Sequence, residues 1–164
     1  MAEDSSRVVI GNRASGVDIA QVLAALRPGL ERALIARLGI EGGTEAAADA
    51  VSWALEHEDR VRAMHNPAGY LCRVGQSSAR RVRRRRGSMT ALIAEPVSSQ
   101  EPVDVDLQRA LMRLKPEQRV AILLVHAHGH TYAEAAQLLG LPVTSVTNHI
   151  QRGLVRLRRL MEGK

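Results

Sequence analysis

Aromatic side chains and cysteine are almost missing from this chain of 164 residues. It contains no phenylalanine, and its aromatic residues are Trp53, Tyr70 and Tyr132, whereas Ala, Leu, Val and Arg dominate. Because no stretch of period-two alternation is long enough for a sheet, the sequence predicts an all-α protein. Cys72 is the only cysteine, which excludes an intrachain disulfide and a metal cluster held by cysteines.

Long apolar runs and catalytic motifs are missing as well. The longest strongly apolar run, 120–125, is far too short to cross a bilayer. The first 16 residues are polar and acidic, where a secretory signal would be basic and then apolar. We therefore expect a cytoplasmic protein with no membrane partner. No Gly-x-Ser-x-Gly motif or phosphate-cradling glycine loop occurs, so we expect no enzyme, no cofactor and no small-molecule substrate.

The net charge of +6 comes from one place in the chain. Six arginines supply it, namely Arg80, Arg81, Arg83, Arg84, Arg85 and Arg86. Without them the basic and acidic residues balance at 17 each. A local basic patch indicates a located anionic partner. Nucleic acid fits best, because an anionic membrane surface would call for an apolar anchor beside the patch.

Residues 131–159 have the pattern of a helix-turn-helix. Thr131 and Glu134 have the spacing of a capping box, which starts a helix. Gly140 ends that helix, because the residue past a helix end usually needs a positive φ. Pro142 then opens the second helix. A helical hairpin with an ordinary solvated face would share these signals, but their agreement favours DNA binding.

The second helix of this motif has two distinct stripes. The apolar stripe, predicted to be buried, comprises Val146, Ile150, Leu154, Leu157 and Met161. The opposite stripe is polar and comprises Ser145, Asn148, His149, Arg152, Arg156 and Arg159. A helix in the major groove would present such a stripe to base edges and phosphates. In the first helix, Ala135 and Ala136 are small enough for a close helix crossing.

The rest of the chain divides into a leader, two helical domains and a linker. We predict a mobile leader over 1–16, an N-terminal helical domain over 17–86, an acidic linker over 87–106 and a C-terminal domain over 107–164. The linker carries prolines, serines and acidic residues but no basic residue. The C-terminal domain is predicted to be a four-helix unit that ends in the helix-turn-helix.

Several glycines, prolines and polar residues predict the helix boundaries. A first helix over 17–38, interrupted or bent near Pro28 and Gly29, is predicted to end at Gly42 and Gly43. Thr44 is predicted to cap a second helix that runs to about residue 62, and a third resumes at about residue 68. Asp106 is predicted to cap the first helix of the C-terminal domain.

Over about 20–162 the chain resembles bacterial RNA polymerase sigma factors of the sigma-70 family, in the extracytoplasmic-function class. The segment LMRLKPEQRVAILLVHAHGHTYAEAAQLLGLPVTSVTNHIQRGLVRLRRLME resembles the family's C-terminal region, which contacts the minus 35 promoter element. The segment NPAGYLCRVGQSSARRVRRRR resembles the family's helix facing the minus 10 element. The resemblance implies promoter DNA and core RNA polymerase as partners, and it leaves open an anti-sigma factor.

The resemblance also implies roles for individual residues. Contacts to the minus 35 element would come from Ser145, Thr147, Asn148, His149, Gln151 and Arg152, and Arg156 lies on the same face. The minus 10 loop would lie near Met64, His65, Asn66 and Pro67, with the arginine run from Arg80 to Arg86 on backbone phosphates. Docking on polymerase would use the helix over 45–57, through Glu45, Asp49, Ser52, Trp53 and Glu56.

Two rival functions and one rival site remain at this point. A stand-alone helix-turn-helix regulator would bind DNA without touching polymerase, and a protein-only function would use both domains as interaction modules. His126, His128 and His130 have the HxHxH spacing of some metal sites. Gly129 breaks the helix between them and no cysteine or carboxylate completes a ligand set, so we interpret them as surface residues and predict no metal.

Overall fold

The computed structural model describes residues 18–85 and 105–163, and every regular element in these ranges is helical. The predicted all-α fold is therefore confirmed. The N-terminal group of helices comprises α1 (Ile19–Leu38), α2 (Ile40–Glu56), α3 (Glu58–Arg62) and α4 (Pro67–Arg85). The C-terminal group comprises α5 (Val105–Met112), α6 (Pro116–Ile122), a π-helical turn (Leu123–Ala127), α7 (Tyr132–Leu139) and α8 (Val143–Glu162). The predicted four-helix unit that ends in a helix-turn-helix is thereby confirmed.

Three sequence predictions fall wholly or partly outside the described residues. These are the leader over 1–16, most of the linker, and Arg86. At the end of the predicted linker, α5 has already begun at Val105, so Asp106 lies in the first turn rather than at the cap. An acidic side chain there still faces the positive end of the helix dipole.

The predicted boundary between the first two helices is wrong. The first helix runs without interruption through Pro28 and ends before Gly39, whose φ is 84°. Gly42 and Gly43 lie inside α2 instead. Gly43 is needed there because α2 crosses α1 closely: a Cβ at Gly43 would stand 2.7 Å from Ile35 Cγ1 and closer still to the Ile35 backbone. The glycines therefore permit a helix crossing and do not end a helix.

The next two boundaries also differ from the predicted ones. Thr44, predicted as an N-cap, lies within α2. The second predicted helix is divided at His57, whose φ and ψ of −130° and 41° separate α2 from α3. The third begins at Pro67, in agreement with the predicted start at about residue 68, and the Asn66 Oδ1 atom accepts a hydrogen bond from the Gly69 N–H at 3.0 Å.

The predicted apolar stripe on α8 is only partly buried: Leu157 and Met161 are half-buried, and one residue is exposed. Val146 and Ile150 are buried as predicted, but Leu154 is 40% exposed. The preceding residue, Gly153, is buried instead. A Cβ at Gly153 would stand 2.6 Å from Ile122 Cδ1. The absence of a side chain at Gly153 therefore lets α6 approach α8.

Buried side chains of the two groups form one continuous hydrophobic cluster. Leu30, Leu34 and Leu71 contribute from the N-terminal group, and Leu124 and Ile150 contribute from the C-terminal group. The two groups therefore share one core. Among the described residues, no helix is both long enough and apolar enough to span a membrane.

Cys72 is packed inside this cluster with 1% exposure. Burial raises the pKa of its thiol, although the side chain of Gln76 donates a hydrogen bond to the sulfur and Arg37 and Arg73 act in the opposite direction. Because the thiolate is the reactive form, these surroundings favour a structural role.

Candidate nucleic-acid interface

The helix-turn-helix is held by a complete capping box at its start. The Thr131 Oγ1 atom accepts a hydrogen bond from the Glu134 N–H at 3.1 Å. The Glu134 carboxylate accepts from the Thr131 N–H at 2.7 Å and from its hydroxyl at 2.9 Å. Both hydrogen bonds lower the pKa of Glu134, the bond from the backbone N–H more strongly than the bond from the hydroxyl. The stabilisation from this box is therefore lost only as the pH falls through that lowered pKa.

The corner of the motif positions α8 as the sequence predicts. Gly140 adopts the left-handed conformation, with φ 65° and ψ 36°, and Pro142 precedes α8 as its N-cap. Ala135 and Ala136 are buried at the helix crossing. The local signals of the sequence therefore suffice to define this part of the site.

The predicted minus 35 residues lie on α8 with different degrees of exposure. Asn148, Gln151, Arg152 and Arg156 are exposed, whereas Ser145, Thr147 and His149 are half-buried. The Thr147 hydroxyl donates to the Val143 carbonyl oxygen at 2.9 Å, so it serves the helix backbone. The exposed members are the side chains with donors free to meet a base edge or a phosphate.

An open groove between α6 and α8 adds residues that the sequence reasoning did not assign to the site. Its lining comprises Lys115, Gln118, Gln151, Arg152, Val155, Arg156 and Arg159. Four of these residues are basic and none is acidic. No local sequence motif marks Lys115 and Gln118. They reach this groove only because α6 crosses α8. The lining suits a polyanion such as a phosphate backbone.

The two predicted DNA-contacting parts of the N-terminal group lie at opposite ends of α4. His65 is exposed just before the helix, and Asn66 is half-buried. Arg80, Arg81, Arg83, Arg84 and Arg85 are all exposed on the last turns. At 1.5 Å per residue, Asn66 and Arg84 are roughly 27 Å apart along the helix. The helix is thus long enough to follow about eight base-pair steps of duplex.

The predicted polymerase-docking residues divide into an exposed set and a packed set. Glu45, Ser52 and Glu56 are exposed on one side of α2. Asp49 is half-buried and accepts a hydrogen bond from the Ser78 hydroxyl of α4. Trp53, the other packed residue, takes part in a separate cluster. The exposed side is acidic, and its neighbour Leu55 is 49% exposed, an apolar contribution that the sequence reasoning missed.

Trp53 belongs to a cluster of stacked rings and cations. Its indole stacks on His57, with ring centroids 4.3 Å apart, and is tilted against Tyr70 at 5.2 Å. The Arg60 guanidinium lies 5.7 Å from the Trp53 ring and 5.8 Å from the Tyr70 ring. The cluster fixes the C-terminal end of α2 against α4.

The three histidines of the HxHxH spelling lie around the end of the π-helical turn. His126 and His128 are exposed, and His130 is half-buried. Burial lowers the pKa of His128, and Arg32 and His130 lower it further. The neutral imidazole is therefore favoured there, which weakens any role as a phosphate contact.

Comparison with known sequences identifies the C-terminal group. Residues 104–157 match the family described as sigma-70, region 4. The extracytoplasmic-function RNA polymerase sigma factor SigM of Mycobacterium tuberculosis is 36% identical over 86 residues, in strains Erdman and H37Rv alike. That match covers 49% of this chain and 44% of SigM. The chain therefore spans less than half the length of the curated relative that it matches.

Two solved structures share the fold over most of the chain. One is the sigma factor RpoE of Bartonella quintana in complex with the anti-sigma factor NepR, with a TM-score of 0.63 and 21% identity. The match covers 88% of this chain and 97% of that one. The other is CnrH in complex with the cytosolic domain of CnrY, with a TM-score of 0.53, 22% identity, and 89% and 88% of the two chains covered. At these identities the likeness shows the fold alone.

Proposed function

The chain carries a sigma-70 region 4 domain and is a homologue of an extracytoplasmic-function sigma factor, and from that premise we propose that it binds core RNA polymerase and directs transcription from specific promoters. It acts by binding, and its site of action is the cytoplasm. The N-terminal group docks on polymerase and meets the minus 10 element. The C-terminal group meets the minus 35 element through α8.

The observation that carries this proposal is the basic groove beside the exposed polar face of α8. The region 4 match includes the part of α8 that bears Asn148 and Arg152, and both side chains are exposed. Lys115 extends the basic lining from the neighbouring helix. Bases and phosphates would thus be met by adjacent parts of one surface, as in helix-turn-helix recognition.

Replacing Asn148 or Arg152 by alanine is expected to relax sequence preference at the minus 35 element. A good side-chain contact to a base edge discriminates by about 1–3 kcal/mol. The affinity for the protein's own promoter fragment should therefore fall more than the affinity for a fragment with a scrambled minus 35 element. Arg158→Ala is the matched control, because Arg158 is exposed on α8 outside the polar stripe. Equal losses on both fragments would show that Arg152 reads no base.

Polymerase docking separates the proposal from the rival reading of a stand-alone regulator. The regulator is supported by the hydrogen bond between Asp49 and Ser78, because it takes Asp49 away from the exposed surface. Glu45 and Glu56 are then the exposed acidic groups among the docking residues. Glu45→Lys with Glu56→Lys is expected to weaken binding to core polymerase at least about tenfold, because like charges would replace a complementary contact. Glu162→Lys is an exposed control away from α2. If the Glu45→Lys, Glu56→Lys variant bound core polymerase as tightly as the wild type, the result would favour the stand-alone regulator.

An anti-sigma factor is proposed as a third partner. The Bartonella quintana RpoE, which shares this fold, is bound to one. Leu154 and Val155 are exposed on α8, and Leu55 is exposed on α2. The adjacent pair on α8 would offer such a partner an apolar contact.

A further inference from the structure

The N-terminal end of α8 carries exposed apolar side chains beside a polar surface. Val143 is the first residue of the helix and is 47% exposed. Leu141, in the corner of the helix-turn-helix, is 36% exposed. Apolar residues that occur singly at a protein surface are ordinary, but these two flank the N-cap residue Pro142. This end of α8 is therefore more apolar than contact with phosphates alone would require.

Helix geometry places Val143 on the face that also carries three of the predicted minus 35 residues. Successive residues of an α-helix are rotated by about 100°, so one face of the first three turns spans an arc of about 140°. It comprises Val143, Thr144, Thr147, Asn148 and Gln151. All of them except Thr147 are exposed. In helix-turn-helix recognition the N-terminal residues of the second helix contact base edges, and Val143 is the first of these.

The hydroxyl group next to Val143 is engaged within the helix. Thr147 donates its hydroxyl hydrogen to the Val143 carbonyl oxygen at 2.9 Å, so it has no donor left for a base. Residues four apart are neighbours on a helix surface, and the side chains of Val143 and Thr147 therefore adjoin. Together they offer methyl groups and no hydrogen-bond donor to a base edge.

The charges of α8 allow DNA to come close to this end. The first turn holds no acidic side chain, although the helix dipole would favour one there. Along the helix, Glu162 at the C-terminal end is the first carboxylate. Phosphates on either side of a groove that receives Val143 therefore meet no like charge on α8 before its last residue.

Among the groups that base pairs expose in the major groove, one is apolar, namely the C5-methyl group of thymine. The others are hydrogen-bond donors and acceptors. An aliphatic side chain pressed against a donor or an acceptor leaves it without a partner, which is unfavourable. Contact with a methyl group instead removes apolar surface of both partners from water. Thymine is thus the base that suits Val143.

We propose that Val143 reads the C5-methyl group of one thymine in the minus 35 element. The inference rests on the proposed function, because α8 must enter the major groove for the contact to form. It adds a specificity-determining residue whose side chain makes no hydrogen bond. Asn148 and Gln151, on the same face, offer hydrogen bonds to neighbouring bases, and Val143 distinguishes thymine from bases that lack the methyl group.

Deoxyuridine isolates this contact, because it lacks the methyl group of thymine and pairs with adenine in the same way. The probe is a duplex that the full chain enriches from a random pool, in which each thymine of the bound site is replaced singly by deoxyuridine. The wild type is expected to lose affinity about threefold to fivefold at one thymine, the effect of one methyl group removed from an apolar contact. Val143→Ala should bind the unmodified duplex more weakly by a similar factor and should not respond to deoxyuridine at that position.

Val105→Ala is the matched control. Val105 is likewise the first residue of its helix and is 54% exposed, but it lies on α5. This variant should keep the wild-type response, and so should Val143→Ile, which retains a β-branched aliphatic side chain. Alanine is a better helix former than valine, so a lost response in Val143→Ala reports the missing methyl groups and not a weakened helix.

The outcomes separate the thymine contact from the proposed function. If the wild type bound its selected duplex but responded to no deoxyuridine, or if Val143→Ala kept the wild-type response, the thymine contact would be overturned and the proposed function would stand. A chain that enriches no sequence from the pool would overturn both. The expected responses from a protein that does not bind core polymerase would sustain the thymine contact and refute the sigma-factor proposal.

Discussion

Alanine at position 43 is expected to destabilise the protein by about 3 kcal/mol, because added atoms in a close-packed contact force the neighbouring backbone apart. The new methyl group would meet Ile35 of α1 on both its backbone and its side chain. Relief would require α1 and α2 to separate, which would loosen the buried contacts of Leu34 and Ala46 in the shared cluster. Urea-induced unfolding followed by circular dichroism measures the effect.

The adjacent glycine provides the control for this prediction. Gly42→Ala makes only an ordinary contact with Leu38. It should stabilise α2 by up to about 1 kcal/mol, since alanine is the better helix former. If both variants behaved alike, the close crossing of α1 and α2 would be contradicted. Such a result would favour the sequence-based prediction that Gly42 and Gly43 end a helix.

Neutralising Arg84 and Arg85 with glutamine is expected to weaken binding to every DNA sequence. Both side chains are exposed at the end of α4, and each phosphate contact releases condensed counterions from the duplex. Losing two such contacts should lower affinity on the order of a hundredfold near 0.1 M salt and reduce the slope of log K against log salt by about 2. Titrations of the promoter fragment and of an unrelated duplex, at several salt concentrations, measure both quantities.

A double variant with the same change in charge provides the comparison. Arg27 and Arg113 are also exposed, but they lie on α1 and just after α5. Replacing them by glutamine should leave the salt slope nearly unchanged. An equal loss from this pair would show that net charge, and not the arginine run, governs binding. A loss confined to the promoter fragment would show that Arg84 or Arg85 reads sequence.

The helix-turn-helix could be predicted from the sequence because its signals are local. The capping box at Thr131, the left-handed Gly140 and the small Ala135 and Ala136 all occur as predicted. The resemblance to the sigma-70 family is confirmed by the region 4 match and by homology to SigM. Each of these features depends on residues within a few turns of one another, where spacing alone carries the information.

The predictions that were wrong depend on contacts between distant segments. A glycine such as Gly43 has the same appearance in a sequence whether it ends a helix or admits a neighbouring one. Asp49 remains a predicted docking residue, but its hydrogen bond with Ser78 could not be predicted from the sequence, because it depends on α2 packing against α4. Lys115 joins the basic groove only because α6 crosses α8. The assignments of individual DNA and polymerase contacts remain predictions.

Run-off transcription from the gene's own upstream region, with core RNA polymerase in the presence and absence of this protein, tests the central claim most directly. The proposed function predicts discrete transcripts that appear only with the protein. These transcripts should be lost with the Glu45→Lys, Glu56→Lys variant and kept with Glu162→Lys. An absence of specific transcripts, under conditions where the protein still binds the same DNA fragment, would contradict the claim and identify a regulator that acts without polymerase contact.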